Sequence, residues 1–241
     1  MSLISSTLKQ ERTLIKKCSF MYKFSKRFLD IIISTTTLIL LLPLFIPIVI
    51  ILRLSAEGYI FYYQERIGLN QKRFKIIKFA TMLKDSPNLG TGSITMKGDW
   101  RVTKPGRFLR RTKINELPQI INILKGDISI VGPRPLVTKT FSAYSEEIQS
   151  KIYNVKPGLT GIGSIVFRDE ETLISNAKEE DPHEFYLRVI APFKGELEMW
   201  YQKHKSFLLD LQLIFFTAWV IIFPKSRLYE KLYTDLPERK F

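Results

Sequence analysis

The sequence has few of the residues that form disulfides or zinc sites. Of its 241 residues one is cysteine, Cys18, and two are histidine. A single cysteine excludes an intramolecular disulfide, and one cysteine with two histidines excludes a zinc cluster of the usual spacing. Internal repeats and low-complexity tracts are also absent from the sequence. A reducing compartment fits this composition.

Acidic residues are in deficit as well. There are 23 Asp and Glu against 37 Lys and Arg, so the formal net charge is +14 at pH 7. An anionic partner follows, and nucleic acid, a phospholipid surface and a phosphorylated metabolite all satisfy that condition. Nucleic acid is disfavoured, because the charge borders an apolar segment and no recognition helix or base-stacking motif is present.

The longest apolar run is IIISTTTLILLLPLFIPIVIIL, from Ile31 to Leu52, with 22 residues and no charge. As a helix it would extend about 33 Å, enough to cross the core of a bilayer. It starts too deep in the chain, and ends without a small-residue cleavage site, to be a secretory signal. A membrane segment is predicted, since so long an uncharged run is rare in the buried helices of soluble domains.

Two features indicate that this segment does not simply span the membrane. Pro43 and Pro47 predict a kink near its centre. Its flanks are equally basic, because residues 1–30 and residues 53–84 each hold 7 Lys or Arg against 2 Asp or Glu. The positive-inside rule then assigns both ends to the cytoplasm. A re-entrant helix that enters and leaves the same leaflet satisfies both observations.

A second apolar stretch runs from Phe207 to Arg227. Between Asp210 and Pro224 it holds 13 residues, which is short for a membrane span. Trp219 and its aromatic neighbours suit the headgroup boundary, so an interfacial helix is predicted near residues 207–223. A core helix of the domain fits the pattern about equally well.

The predicted fold class is α+β and mostly helical, with a small β-hairpin, the re-entrant helix and interfacial amphipathic helices. Runs of aromatic and β-branched residues on either side of GLNQKR predict the hairpin. Helices are predicted from Gly106 to Thr112 and from Asn115 to Gly126, and VGPRP and VKPGLTGIG predict fixed turns. The chain divides into a basic leader (1–22), a membrane helix (23–56), a cytoplasmic domain (57–225) and a tail (226–241).

The segment RRTKINELPQ joins a predicted helix start to a cluster of cations. Asn115 is a favoured N-cap residue, and Glu116 in the first turn suits the helix dipole. Capping leaves the upstream cations unexplained, whereas phosphate binding at a helix start accounts for them. These cations are Lys104, Arg107, Arg110, Arg111 and Lys113.

Arg134 and Glu116 each have two interpretations. Arg134 lies between the prolines of GPRP, which suits a fixed bidentate phosphate contact, but a solvated surface arginine fits the sequence equally well. Glu116 beside the cations suggests a Mg²⁺ ligand on a diphosphate substrate. From spacing alone, a glutamate that serves only the helix dipole is the stronger alternative.

Four blocks of the sequence resemble the bacterial sugar transferase family, the monotopic phosphoglycosyl transferases, over about residues 26–225. They occur in the family's order: KRFLDIIISTTTLILLLPLFIPIVIIL, YYQERIGLNQKRFKIIKFATM, GRFLRRTKINELPQIINILKGDISIVGPRPL and VKPGLTGIGSIVFRDEE. Four blocks in register are far more specific than any single motif.

The resemblance implies an enzyme that transfers a sugar 1-phosphate from a UDP-sugar to polyprenyl (undecaprenyl) phosphate and releases UMP. It implies a place in the bacterial inner membrane with the catalytic domain on the cytoplasmic face, and a role in starting surface-glycan or exopolysaccharide assembly. It also implies Mg²⁺ as cofactor, a kink at Pro43, and later glycosyltransferases or a second copy of the chain as partners.

The resemblance also implies the site residues. The family's Asp-Glu pair, a nucleophile that forms a covalent phosphosugar intermediate and a glutamate that helps hold the metal, falls on Asn115 and Glu116. Ala80 stands where the family's KFRTM-like block carries arginine, and GIGSIVFR replaces the family's GWAQVNGR. The matching cations of the phosphate and nucleotide site are Lys78, Arg110, Arg134 and Arg168.

Asn115 leaves two hypotheses open, because an amide oxygen is a much poorer nucleophile than a carboxylate. In an active transferase, Glu116, Asp127 or the run at residues 169–171 takes over the attack, or the lipid phosphate attacks directly. Otherwise the chain is a membrane-anchored homologue that binds substrate or scaffolds later glycosyltransferases. We favour the active enzyme, because Glu116 and all three matching arginines are present.

Overall fold

The computed structural model describes residues 2–55, 57–89, 98–177, 181–239 and 241, and it begins with one long helix. Helix α1 (Ser2–Leu54) has 53 residues and continues through both Pro43 and Pro47. It therefore also includes residues 2–22, the basic leader, for which the sequence did not predict a helix.

The apolar part of α1 faces outward. By length and composition, Ser19–Leu54 is the one candidate membrane span among the described residues, and 11% of its most apolar window is buried. Ile39 and Leu40 are 67% and 72% exposed. A core helix of a soluble domain would be mostly buried, so the exposure favours the predicted membrane segment over that alternative.

Just before the apolar part, α1 is attached to the rest of the protein by buried polar contacts. Lys26 Nζ lies 2.6 Å from Oδ2 of Asp210, which is 1% exposed. The Arg27 guanidinium donates to the carbonyl oxygens of Ile123 and Leu124 at 2.6 and 2.7 Å. These contacts fix the direction in which the apolar segment leaves the domain.

The predicted hairpin is confirmed. Strands β1 (Phe61–Ile67) and β2 (Arg73–Phe79) pair antiparallel from Phe61 opposite Phe79 to Ile67 opposite Arg73. Asn70 and Gln71 adopt positive φ angles of 52° and 60° in the connection. Phe79 packs with Ile48 and Leu52 of α1, so the hairpin lies where the apolar helix ends.

Short helices make up most of the remaining chain, as the predicted fold class requires. In chain order the elements are α2 (Lys104–Arg111), a 3₁₀ turn (Ile114–Glu116), α3 (Gln119–Lys125), β3 (Ser129–Val131), α4 (Thr138–Phe141), α5 (Glu146–Ile152), β4 (Gly158–Thr160), α6 (Ile162–Val166), α7 (Glu170–Asn176), α8 (Pro182–Phe185), a π-turn (Tyr186–Ile190), α9 (Ala191–His204), α10 (Phe207–Ile222) and α11 (Leu228–Leu232). Two further 3₁₀ turns are Leu69–Gln71 and Ser86–Asn88.

The prediction of one helix from Asn115 to Gly126 is wrong at its start. Lys113 adopts a left-handed conformation with φ of 61°, the 3₁₀ turn follows, and α3 begins only at Gln119. At the other end Gly126, with φ of 86°, is the C-cap of α3, as predicted.

A pair of short strands that the sequence did not indicate lies at the two predicted turns: β3 leads into VGPRP, and β4 lies within VKPGLTGIG. β3 and β4 pair in parallel, with Ser129 opposite Gly158 and Val131 opposite Thr160. A Cβ on Gly158 would lie 2.1 Å from the backbone nitrogen of Gly132, so this close approach requires glycine. The pairing holds the VGPRP loop against the chain around residue 158.

Helix α10 is divided between the core and the surface. Leu213, Phe216 and Val220 on one face are buried in the main apolar core. On the other face Leu208 and Ile222 are 65% and 68% exposed. The core alternative is therefore correct for one face only, and an apolar face remains exposed.

Candidate active site

A cavity of about 880 Å³ lies between the hairpin, α2, the 3₁₀ turn, the VGPRP loop, α7 and α9. Its walls include eight of the residues that the sequence singled out, namely Lys78, Arg107, Arg110, Arg111, Lys113, Asn115, Glu116 and Arg134. Arg168 is exposed and does not line this cavity. Lys104 does not line the cavity either, so the structure brings together the predicted site residues of the domain except Lys104 and Arg168.

The 3₁₀ turn reaches the cavity because of the connection that precedes it. Thr103 Oγ1 caps α2 by accepting from the Gly106 nitrogen at 3.1 Å. A Cβ on Gly106 would lie 2.1 Å from the Thr81 carbonyl oxygen, so glycine lets α2 pack directly on the chain after β2. Lys113 then reverses the backbone direction and places Asn115 and Glu116 at the cavity wall.

Asn115 does not cap a helix, contrary to the prediction. It lies inside the 3₁₀ turn, it is 7% exposed, and its Oδ1 is buried without a hydrogen-bond partner in the described part of the chain. Most buried polar atoms are paired, so this orphaned amide oxygen at a cavity wall needs an explanation. Capping does not provide one.

Glu116 holds two cations. Its Oε1 lies 2.9 Å from Lys78 Nζ and 3.4 Å from Arg134 Nη2. Burial tends to raise the pKa of Glu116, but the charges of Lys78 and Arg134 outweigh burial and keep the pKa well below its usual range. Glu116 is therefore ionised at neutral pH and fixes the positions of both cations.

The backbone of Arg134 is fixed on both sides. Its carbonyl oxygen accepts from the Tyr153 hydroxyl at 2.8 Å, and its nitrogen donates to Oε1 of Glu198 at 3.4 Å. The Tyr153 hydroxyl in turn accepts from the Leu136 nitrogen at 2.9 Å. Together with the β3–β4 pairing these contacts hold the Arg134 backbone at the cavity wall, and its side chain, which is 39% exposed, lines the cavity.

Arg66 is a site residue that the sequence interpretation missed. Its Nη1 donates to the Pro135 carbonyl oxygen at 3.0 Å. Burial, then the charge of Arg134, lowers the pKa of Arg66 to about 10, and burial lowers the pKa of Lys78 to about 8. Tyr62, Gln64 and Arg66 all line the cavity. Alternate residues of a strand lie on the same face, so the positions of β1 on the face of Tyr62 and Gln64 would have identified Arg66 as a site residue.

A second ion pair in the cavity wall was also missed. Lys194 Nζ lies 2.6 Å from Glu170 Oε2, and Lys194 is 6% exposed. The same ammonium lies 5.1 Å from the ring centre of Phe167 and 5.6 Å from that of Tyr186. Four cations, Arg66, Lys78, Arg134 and Lys194, and two carboxylates, Glu116 and Glu170, thus line this part of the cavity.

Among the described residues there is no group of three His, Cys, Asp or Glu that could hold a metal ion. Glu116 is a suitable single ligand, because both of its described contacts fall on Oε1 and none on Oε2. Mg²⁺ usually takes one or two carboxylates and completes its shell with water and substrate phosphates. The residues present fit Mg²⁺ on these terms, as an ion held jointly by Glu116 and a bound diphosphate.

The other proposed nucleophiles lie in different places. Glu170 lines the cavity, whereas Asp127 and Asp169 do not. Asp127 Oδ2 accepts from Asn122 Nδ2 at 3.0 Å, and Asp169 pairs with Arg239 of the tail at 3.3 Å. The side chain of Glu171 lies outside the described part of the structure.

Glu198 makes the free energy of unfolding depend on pH. Burial raises its pKa to about 7, although the Arg134 nitrogen and the charges of Lys194 and Arg134 lower it. Between pH ~4.5 and ~7 the folded chain keeps a proton that the unfolded chain releases, so the free energy of unfolding falls by about 3 kcal/mol as pH rises.

Glu198→Gln is expected to abolish this fall in the free energy of unfolding with rising pH. In detergent micelles its melting temperature should match that of wild type near pH 5 and exceed it at pH 8. Glu196→Gln, an exposed change on the same helix, is the control. A melting-temperature difference that stays constant from pH 5 to pH 8 would show that Glu198 does not titrate in this range.

Fold and site together define a class of protein: a mostly helical domain with a cation-lined cavity, carried on a long apolar helix. The family model for bacterial sugar transferases matches residues 21–224. The chain belongs to the bacterial sugar transferase family.

Several curated proteins are similar to this chain. It is 31% identical over 203 residues to a UDP-N-acetylgalactosamine-undecaprenyl-phosphate N-acetylgalactosaminephosphotransferase of Aeromonas hydrophila, covering 83% of this chain and 44% of the relative. It is 36% identical over 196 residues to the UDP-glucose:undecaprenyl-phosphate glucose-1-phosphate transferase of Escherichia coli (strain K12), covering 80% and 39%.

A third relative is closer in length. The chain is 37% identical over 168 residues to the uncharacterized sugar transferase EpsL of Bacillus subtilis (strain 168), covering 70% of this chain and 72% of the relative. The chain thus spans less than half the length of the first two relatives and about three quarters of the third.

Proposed function

We propose that this chain transfers a sugar 1-phosphate from a UDP-sugar to polyprenyl phosphate and so begins the assembly of a surface glycan. One observation carries the proposal: the cationic cavity and the end of the apolar helix share a wall. Phe79 lines the cavity and also packs with Ile48 and Leu52 of α1. A lipid acceptor held by the membrane would therefore reach a site suited to anions.

The charge of the site suits a nucleoside diphosphate. Lys and Arg outnumber Asp and Glu among the residues that line the cavity, which suits the negative charge of a sugar diphosphate. Arg66, Lys78 and Arg134 would neutralise the transferred phosphoryl group, and Arg134 is pre-positioned for a bidentate contact. Mg²⁺, when held by Glu116, would neutralise charge on the diphosphate. The names of the relatives from A. hydrophila and E. coli support these substrate classes.

Binding to the inner membrane would follow from two apolar surfaces. The apolar part of α1 would enter the cytoplasmic leaflet and return to it, with the cavity on the cytoplasmic side. The exposed apolar face of α10, with Leu208 and Ile222, would lie in the headgroup region. A re-entrant α1 predicts that both of its ends are cytoplasmic.

Cysteine labelling tests this topology. Cys18 reports one end, and a Cys18→Ser protein with Asn88→Cys, at an exposed position, reports the other. An impermeant reagent added to the periplasm is expected to label neither, and both should react after permeabilisation. Labelling of only one of the two sites in intact cells would show that α1 spans the membrane.

Asn115 keeps a second function in consideration, that of a membrane-anchored scaffold that binds substrate without turnover. The assay for the first function separates the two. Purified chain with undecaprenyl phosphate, Mg²⁺ and a panel of UDP-sugars should release UMP with at least one sugar. Binding of a UDP-sugar without UMP release from any member of the panel would favour the scaffold.

A further inference from the structure

We infer that the tail (residues 226–241) positions part of the cavity wall, because Arg239 holds the turn that carries the Glu170–Lys194 ion pair. The inference rests on the proposed function, since it gives this pair a part in binding the donor diphosphate. The family match ends at residue 224, so the family model does not describe the contacts of the tail. Three sets of contacts carry the inference: those that dock the tail, those that Arg239 makes, and those of the ion pair itself.

The tail is packed onto α9 and α10. Tyr229 and Leu236 are buried in the main apolar core. The Tyr233 hydroxyl donates to Gln212 Oε1 of α10 at 3.1 Å, and the ring centre of Tyr233 lies 5.1 Å from that of Trp200 in α9. Buried apolar side chains and paired polar groups of this kind fix a segment on the domain. The tail is thus anchored where it approaches the turn between α6 and α7.

Arg239 contacts this turn at two points. Its Nη1 lies 3.3 Å from Asp169 Oδ1, and its guanidinium carbon lies 5.7 Å from the ring centre of Phe167. Asp169 is the N-cap residue of α7, and its carbonyl oxygen accepts from the Thr172 nitrogen at 2.9 Å. Its carboxylate makes no capping hydrogen bond within the described part of the chain and pairs with Arg239 instead. Arg239 therefore holds the start of α7.

The next residue of the chain, Glu170, connects this contact to the cavity. Its Oε2 lies 2.6 Å from Lys194 Nζ, and Lys194 is 6% exposed. The Lys194 ammonium lies 5.1 Å from the ring centre of Phe167, the same ring that Arg239 contacts. Because Asp169 and Glu170 are consecutive residues, a shift of the first turn of α7 would move both of their ion pairs.

A second residue of the tail contacts the helix that carries Lys194. The ring centre of Phe241 lies 5.7 Å from that of Phe193 and 6.2 Å from that of Phe167. Phe193 precedes Lys194 in α9, just as Asp169 precedes Glu170. The tail thus contacts the chain neighbours of both members of the ion pair.

The ion pair lies in the same cavity wall as Arg134. The charge of Glu116 raises the pKa of Arg134, and the charge of Glu170 adds to this effect. Glu170 therefore acts on two cations of the cavity, on Lys194 by contact and on Arg134 through its charge. Cations that are fixed before a ligand arrives lose less conformational freedom on binding. Arg239 does not line the cavity, so it is a positioning residue that strengthens the binding of a diphosphate without touching it.

A double-mutant cycle on the binding of UDP tests the inference, with the full-length chain in detergent and Mg²⁺ present. Calorimetric titration gives the Kd of UDP for wild type, Arg239→Gln, Lys194→Met and the double variant. Loss of an ion pair and a cation–π contact predicts that Arg239→Gln raises Kd about fivefold. In the Lys194→Met variant the same change should raise Kd less than about twofold, because the cation through which the tail acts is already absent.

Three further variants separate positioning from a general loss of folding. Arg239→Lys keeps a cation beside Asp169 and should bind UDP within about twofold of wild type. Asp169→Asn removes the same ion pair from an exposed side chain while keeping a favoured N-cap residue, and should raise Kd by a factor similar to that of Arg239→Gln. Arg227→Gln is the matched control, because Arg227 lies in the same tail, pairs with Glu230 and does not line the cavity. Melting temperatures check that each variant is folded.

The outcomes distinguish this inference from the proposed function. An unchanged Kd for Arg239→Gln and Asp169→Asn, or an equal rise in Kd with and without Lys194, would overturn the role of the tail and leave the proposed function standing. Coupled binding of UDP by a chain that releases UMP from no UDP-sugar would support the role of the tail and favour the scaffold over the transferase. Absence of UDP binding by the wild type would contradict both.

Discussion

Glu116→Gln is expected to lower the rate of sugar-phosphate transfer roughly a hundredfold or more. Glutamine keeps the side-chain volume but loses the charge that holds Lys78 at 2.9 Å and Arg134 at 3.4 Å. It also loses the carboxylate oxygen suited to Mg²⁺. The fold should persist, because Lys78, whose pKa burial already lowers to about 8, can become neutral when its partner is removed.

UMP release at increasing Mg²⁺ concentration measures the effect, with a melting curve as the check on folding. Glu147→Gln is the matched control, because Glu147 is exposed, pairs with the neighbouring Lys151 and does not line the cavity. Transfer by Glu116→Gln at the wild-type rate, with the wild-type dependence on Mg²⁺, would remove Glu116 from the site.

Arg134→Lys is expected to lower kcat/KM at least about tenfold although it keeps the charge. The loop fixes the Arg134 backbone through Tyr153 and Glu198, and Glu116 lies 3.4 Å from one end of its guanidinium. Lysine offers a point charge on a flexible stem and cannot make a bidentate contact with phosphate.

Steady-state kinetics with the UDP-sugar varied measures this loss. Arg73→Lys is the control. Arg73 is an exposed residue of the hairpin that pairs with Glu65 and does not line the cavity. A value of kcat/KM for Arg134→Lys within twofold of wild type would show that only the charge of Arg134 matters.

Local patterns predicted the elements that depend on local rules. The hairpin follows from apolar runs on either side of GLNQKR, and the end of α3 follows from Gly126. The start of α3 was predicted wrongly, because it depends on Lys113 in a left-handed conformation that lysine rarely adopts. This error also affected the predicted site: Asn115 was predicted as a helix cap, whereas in the structure it is a buried residue at the cavity wall.

Local sequence patterns did not predict contacts between segments that are far apart in the chain. The β3 and β4 strands have three residues each, and their parallel pairing depends on the close approach of Gly132 and Gly158. Lys194 and Glu170 meet across two helices, and neither carries a local signal. Arg168 was predicted as a site residue because its position matches a family motif, but its side chain does not line the cavity.

The central claim is that the sugar moves together with its phosphate, and a doubly labelled donor tests it most directly. The UDP-sugar carries ³²P in its β-phosphate and ¹⁴C in its sugar, and the full-length chain receives undecaprenyl phosphate and Mg²⁺. Phosphosugar transfer predicts that both labels enter the lipid in equal amounts and that UMP is released. Entry of the sugar label alone with release of UDP, or entry of neither label with any sugar tested, would contradict the proposed function.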